Sequence, residues 1–299
     1  MAPKKLPTAG QESSATTVPP SWIDTHCHLD DQAFAADLVE VIQRARSAGV
    51  HWMICPGTSA ASSQAVVQLA QSQPGLYAAV GIHPNAAFEA SPLDWEQICR
   101  LARQPGVVAI GETGLDRYRD FTPWEVQLEF LHRHVRLAQD LELPVILHCR
   151  EAEEELLTAL HQAADRGPVR GVWHAFSADL EAAYEATELG LYISFAGSAT
   201  YTNKKFELLR EAVVCTPDDR LLLETDSPYL VPEPLRGKQQ RNEPAHLLLV
   251  AQRVAELREQ TMEHLSDITR SNAQRLFGLP PDAASEGPSS RPPRPEGAF

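Results

Sequence analysis

The chain has 299 residues, enough for one large domain or two small ones, and 43% of them are hydrophobic, so a substantial core can form. No apolar run is long enough to span a bilayer, which excludes a membrane helix. The formal net charge of -14 repels nucleic acid at long range and excludes a non-specific duplex binder, though not an enzyme whose bound metal draws in phosphate.

Residues 1–20 are rich in Pro, Ser, Thr and Ala and read as a disordered tail; Lys4 and Lys5 are followed by no apolar segment, so they do not open a secretory signal. Residues 279–299 read likewise as a disordered C-terminal tail. Five cysteines (Cys27, Cys55, Cys99, Cys149, Cys215) show no paired spacing, as expected of reduced thiols in a cytoplasmic protein.

Between the tails, 21–278 has a regular beat. The short apolar runs begin with Trp22-Ile23-Asp24, Trp52 to Cys55, Leu76 to Val80 and Val107 to Ile110. Val145 to Leu147, Val172-Trp173, Tyr192 to Phe195 and Leu221 to Leu223 complete them. Amphipathic stretches separate these runs. Phe34 to Ala48 carries Leu38, Val41, Ile42 and Ala45 on one face; Trp124 to Leu141 carries Val126, Phe130, Leu131, Val135 and Ala138. Thr122-Pro123 reads as an N-cap followed by Pro at the first helical position. Gly49 and Gly190 fall where helices should stop, and two more helices, about Pro244 to Arg258 and Met262 to Phe277, close the domain. Near-continuous apolar strands alternating with helices predict a parallel sheet, and eight units predict a closed (β/α)8 barrel of the TIM type. The alternative is an open doubly wound sheet, disfavoured because no Gly-x-Gly-x-x-Gly follows the first strand.

The polar residues concentrate where the strands end. Strand one runs into His26-Cys27-His28. Alternation along an extended strand puts the two imidazoles on one side, in reach of one cation, and Cys27 on the other. Strand three runs into His83, strand four into Glu112, strand five into His148-Cys149-Arg150, strand six into His174, and strand eight into Glu224-Thr225-Asp226. In a parallel barrel these ends meet at one mouth. Four imidazoles (His26, His28, His148, His174) and two carboxylates (Glu112, Asp226) exceed the needs of one tetrahedral ion and suit two divalent cations sharing a bridge. A carboxylated lysine can bridge two metals, but Lys4, Lys5, Lys204, Lys205 and Lys238 lie off strands one to six. Glu112 is therefore the expected bridge. Cys27 and Cys149 are out of phase with the ligands and read as packing residues, and His51, His132, His134, His161, His246 and His264 read as surface or packing residues.

The segments Ile23 to Asp30, Gly81 to Pro84, Ile110 to Asp116, Leu143 to Arg150, Leu223 to Leu230 and Arg241 to Pro244 resemble, in order and spacing, the signatures of TatD-family metal-dependent hydrolases. The resemblance covers about residues 21–278. It implies a (β/α)8 barrel, a divalent-metal centre and deoxyribonuclease activity, often 3′ to 5′ exonucleolytic. Carried over, it places His26, His28 and Asp226 on one metal, His148 and His174 on the second, and Glu112 between them. Trp22 stands where the family usually has a smaller aliphatic residue.

Two metals suit phosphodiester hydrolysis of DNA ends, single-stranded ones foremost, with Glu112 and Asp226 as the catalytic carboxylates and Asp226 as general base. Arg150 is expected to face inward and grip a phosphate, or else to form a structural salt bridge. His83 is expected to donate to phosphate or to pack its loop. Asp24 and Glu224 are expected one layer deeper, orienting imidazoles or Arg150, or else forming a buried ion pair. The donor set admits Zn, Mn or Mg. No membrane and no obligate protein partner is implied. The competing reading is a hydrolase of the same barrel acting on a non-nucleic-acid ester, lactone or amide.

Overall fold

The computed structural model describes residues 20–281. The expected tails lie outside the described residues, apart from Pro20 and the segment 279–281. Eight strands pair in sequence order, every pair parallel: β1 (Trp22–Asp24), β2 (Val50–Pro56), β3 (Leu76–Val80), β4 (Val107–Asp116), β5 (Val145–Arg150), β6 (Gly171–Trp173), β7 (Tyr192–Phe195) and β8 (Leu221–Leu223). The helices α1 (Leu38–Ser47), α2 (Ala60–Ser72), α3 (Pro92–Leu101), α4 (Trp124–Leu141), α5 (Glu153–Ala164), α6 (Leu180–Glu188) and α7 (Glu207–Cys215) fill the crossovers, and α8 (Leu247–Leu257) and α9 (Met262–Phe277) follow β8.

The barrel closes just past the ends of β1 and β8. Thr25 N–H donates to Leu223 O at 3.2 Å, Asp226 N–H to His26 O at 2.9 Å, and His28 N–H to Ser227 O at 2.7 Å. The seam thus runs through the segments that carry His26, His28 and Asp226.

Period-two alternation divides the core. Trp52 and Ile54, Ile146, Val172, Tyr192 and Leu222 face inward. Their neighbours Met53, Cys55, Leu147, Trp173, Ile193 and Leu223 pack under the helices. Ala273, Leu276 and Phe277 of α9 plug the inner cluster. Two residues further along the same inward rows come His148 after Ile146, His174 after Val172 and Glu224 after Leu222, so one periodicity builds the core and aims the site.

Three local details depart from expectation. The first helix is shorter, because Asp31 caps a separate 3-10 turn at Gln32–Phe34 and α1 starts only at Leu38. Asp37 makes no cap there; its carboxylate takes Arg241 and Arg44 instead. Helix α4 is capped by Pro123 rather than Thr122, whose hydroxyl accepts Phe88 N–H. Strand β4 continues six residues past Ile110 to Asp116. Three steps on β4, Ile110 to Thr113, face two on β5, Val145 to Leu147, so a bulge falls at Gly111-Glu112 and re-aims the glutamate. Gly114 (φ +147°) then lets β4 lie flush on β5, since a Cβ there would stand 1.8 Å from His148 O.

Candidate metal centre

Glu112 is 2% exposed and sits amid the histidines. Its Oε2 lies 3.4 Å from His26 Nε2 and 3.7 Å from His28 Nε2, and Asp226 Oδ1 lies 3.7 and 3.4 Å from the same two nitrogens. The nitrogens themselves are 3.2 Å apart. Donors arranged tetrahedrally at about 2.1 Å from one ion stand about 3.4 Å from each other. Its Oε1 lies 3.0 Å from His148 Nδ1, 2.9 Å from His174 Nε2 and 3.4 Å from His83 Nε2. Imidazole nitrogens and carboxylate oxygens converging at such range share either protons or cations, and these side chains could hold metal ions.

The supporting contacts decide tautomers. His174 Nδ1–H donates to Glu224 Oε1 at 3.2 Å, which leaves Nε2 with a lone pair toward Glu112. Ala175, in the left-handed region (φ 42°), turns its N–H onto the same Glu224 oxygen at 2.7 Å. Glu224 Oε1 thus receives both the His174 imidazole and the Ala175 backbone. For His83 the sense is reversed. Nδ1 accepts Asn85 N–H at 3.1 Å, so the proton sits on Nε2 and this histidine presents a donor to the site.

Charge sustains the cluster. Burial alone would raise the Glu112 carboxyl, but His174, His83 and His148 hold it well below the usual range. Burial would likewise raise Asp226, which His28, His26 and His174 hold down. Burial opposes the charge on His28, yet Asp226, Glu112 and Asp30 carry it up to about 9. His26 is lowered by burial and by His174, whose ring stacks on it at 3.9 Å between centroids.

Asp24 corrects its expectation. Among the described residues it touches neither an imidazole nor Arg150 and forms no ion pair. It accepts Thr225 N–H at 2.9 Å, Thr225 Oγ1–H at 2.6 Å and His26 N–H at 3.3 Å, clasping the seam between β1 and β8. Burial pushes it up to about 8. Ile23 faces the inner cluster, so alternation along β1 turns Asp24 away from the axis, in register with Met53, and the bend at Thr25 follows it. Arg150 is exposed and forms no salt bridge among the described residues; its guanidinium lies 3.6 Å from the centre of the Tyr118 ring. Tyr201, which follows β7, is buried and its hydroxyl donates to Val231 O. Cys27 and Cys149 are buried in the packing layer, and His134 packs inside, its Nε2 accepting Ile82 N–H at 3.0 Å.

Asp116, the last residue of β4, also stands at the site, although the sequence pattern did not single it out. It is 2% exposed; Oδ2 lies 3.5 Å from His148 Nε2 and accepts Asn85 Nδ2–H at 2.9 Å. Gln127 of α4 locks the Asp116 backbone from both sides, accepting its N–H and donating to its O. The signal was present: Asp116 follows Glu112 by four residues on a strand, the spacing of a shared face.

Fold and centre together define a metal-dependent hydrolase barrel. The chain belongs to the family of TatD related DNases, whose model matches residues 23–278. It is 39% identical over 256 residues to a metal-dependent hydrolase, YabD, of Bacillus subtilis, covering 86% of this chain and 98% of that one. It is also 39% identical over 259 residues to the 3'-5' ssDNA/RNA exonuclease TatD of Klebsiella pneumoniae, covering 86% and 97%. Among solved structures, YJJV, a TATD homolog from Escherichia coli K12, superposes with a TM-score of 0.80 at 35% identity, over 87% of this chain and 98% of that one. An organophosphorus hydrolase from Deinococcus radiodurans shares only the fold, at 18% identity and a TM-score of 0.61.

Proposed function

We propose that this metal-dependent hydrolase is a 3′ to 5′ exonuclease acting on single-stranded DNA or RNA ends in the cytoplasm, with two divalent cations at the barrel mouth. The observation that carries the reading is the division of Glu112: one oxygen faces His26 and His28, the other His148 and His174. His26, His28 and Asp226 would hold one cation and His148 and His174 the other, with Glu112 shared between them. Imidazole-rich donors suit Zn or Mn better than Mg. When bound, such cations supply Lewis-acid charge to the phosphate and ease ionisation of a water.

The protein's own groups supply the rest. Asp226 has a side chain 13% exposed, against 3% for Glu112, so it is the carboxylate that an incoming water meets and the one that takes its proton. His83 Nε2–H donates to a phosphate oxygen. Arg150, uncommitted to any carboxylate among the described residues, grips the phosphate from the rim. Glu224 and Asp116 hold His174 and His148 in place, and Asp24 fixes the seam from which His26 and Asp226 project. Named relatives with exonuclease activity support this substrate class over an ester or lactone, for which no contact in the site speaks.

The test is metal analysis of protein purified without chelator, followed by digestion of end-labelled single- and double-stranded DNA and RNA. Two cations per chain and shortening of single strands from the 3′ end are expected, with both lost in Glu112→Ala. No cleavage with Mg, Mn or Zn, together with unchanged metal content in Glu112→Ala, would refute the reading.

A further inference from the structure

Four large exposed aromatic side chains stand on loops after the strand ends: Phe88, Tyr118, Phe121 and Tyr229. Three of them lie on the side of His83 and His148. Asp116 Oδ1 accepts Tyr118 N–H at 2.8 Å and Arg119 N–H at 2.9 Å, while its Oδ2 faces His148. Arg117 N–H donates to Arg150 O at 2.9 Å, tying the β4–α4 loop to the end of β5. Phe88 N–H reaches Thr122 Oγ1 at 3.4 Å, which brings the loop that begins at His83 alongside. The aromatic cluster is therefore fixed to the candidate metal centre through Asp116, whose other oxygen stands 3.5 Å from His148 Nε2.

Its arginines are held by rings, not by acids. Arg150 lies 3.6 Å and Arg119 5.3 Å from the centre of the Tyr118 ring, and Arg119 is 5.8 Å from that of Phe121. Neither guanidinium has an ion pair among the described residues, whereas neighbouring Arg117 is bound to Glu155. Asp120 is the one carboxylate between Arg117 and Thr122. Tyr118 is 52% exposed and Phe121 61%. In a chain of net charge -14, two unpaired guanidiniums layered on exposed rings beside a metal centre form a local exception to the overall field. Open π-faces with adjacent cations are what a single strand uses: bases stack on the rings while arginines meet phosphates.

The geometry points to a substrate platform, Tyr118 with Arg119, Phe121 and Arg150, that stacks the base of the nucleotide next to the scissile phosphate and selects unpaired strands. This rests on the exonuclease reading above and assigns the base-binding side of the same site. A duplex offers no splayed base to this platform, so preference for single strands follows from the surface itself.

The test uses metal-loaded enzyme and a 5′-labelled oligo(dT), compared with the same oligomer carrying an abasic residue next to its 3′-terminal nucleotide. The wild-type enzyme is expected to show a KM about 5- to 100-fold higher for the abasic strand. Tyr118→Ala should raise KM on oligo(dT) until the two substrates differ little, and Tyr118→Phe should restore the difference. Arg119→Ala should raise KM on both and lower the slope of log KM against log salt by about 0.7. If the wild-type enzyme cleaves both strands with equal KM, or Tyr118→Ala keeps the full discrimination, the platform is refuted and the exonuclease reading stands. If the wild-type enzyme cleaves neither strand, both readings fall together.

Discussion

Replacing Glu224 by Ala should weaken the metal centre without touching a donor atom that faces a cation. Glu224 is fully buried and receives two hydrogen bonds on one oxygen, from His174 Nδ1–H at 3.2 Å and Ala175 N–H at 2.7 Å. Ala leaves both donors buried and unpaired, at about 1–3 kcal/mol each, so a loss of about 2–6 kcal/mol in unfolding free energy is expected. It also frees the His174 ring to rotate and to change tautomer. Loss of such a partner lowers metal affinity about 10- to 100-fold, or about 1.4–2.7 kcal/mol. The assay is titration of chelator-stripped protein with Zn or Mn, reading bound metal and nuclease activity together, with urea unfolding in parallel. Activity of Glu224→Ala should return at high metal concentration. Glu224→Gln keeps a carbonyl acceptor and should fall near the lower limit. Wild-type affinity in Glu224→Ala would show that Glu224 does not orient His174, as would an activity loss that excess metal leaves unrepaired.

Gly114→Ala should destabilise the barrel by about 2–4 kcal/mol, because the new Cβ meets backbone at His148 O and φ is +147°; a urea midpoint equal to wild type would contradict the flush packing of β4 on β5. Burial holds His134 near a pKa of about 4, below the usual 6.5. The unfolded chain therefore binds a proton between pH 6.5 and 4 that the folded one refuses. Stability from this group is complete above pH 6.5 and falls as pH drops, by about 1.4 kcal/mol per pH unit across that window. The wild-type minus His134→Gln difference in unfolding free energy, followed from pH 7 to 4, should show that slope, and a flat difference would refute it. Arg150→Ala should raise KM for single-stranded DNA about 10- to 100-fold through loss of a charge-assisted contact, with an unchanged melting temperature because Arg150 forms no ion pair among the described residues; a large stability loss would mark it as structural instead.

Much of the fold was legible because short-range rules suffice for it. The apolar runs at Trp22–Asp24, Leu76–Val80, Tyr192–Phe195 and Leu221–Leu223 are the strands to the residue, and Trp124–Leu141 is the helix to the residue. The misreadings share one cause. Phe34 could have opened the first helix, and Ile110 could have ended β4, had only their sequence neighbours mattered. Arg241, 204 residues away, takes the Asp37 carboxylate, and the β5 ladder keeps Thr113 to Asp116 in the sheet.

The same division holds at the metal centre. Residue type and strand-end position alone mark His26, His28, Glu112, His148, His174 and Asp226, because alternation along a strand aims every second side chain at the barrel axis and parallel order gathers the strand ends at one mouth. Local pattern cannot say which group supports which. Asp24 and Thr225 meet across 201 residues, His174 and Glu224 across 50, and Tyr118 meets Arg150 only because β4 runs on beside β5. Those pairings set tautomers, fix the seam and build the exposed platform. They depend on the bulge at Glu112, the bend at Thr25 and the closure of β1 on β8, which are products of packing. The sequence by itself determined the barrel and marked the candidate donors at its mouth; tertiary structure decided how each of these side chains is oriented, because orientation is imposed by partners distant along the chain.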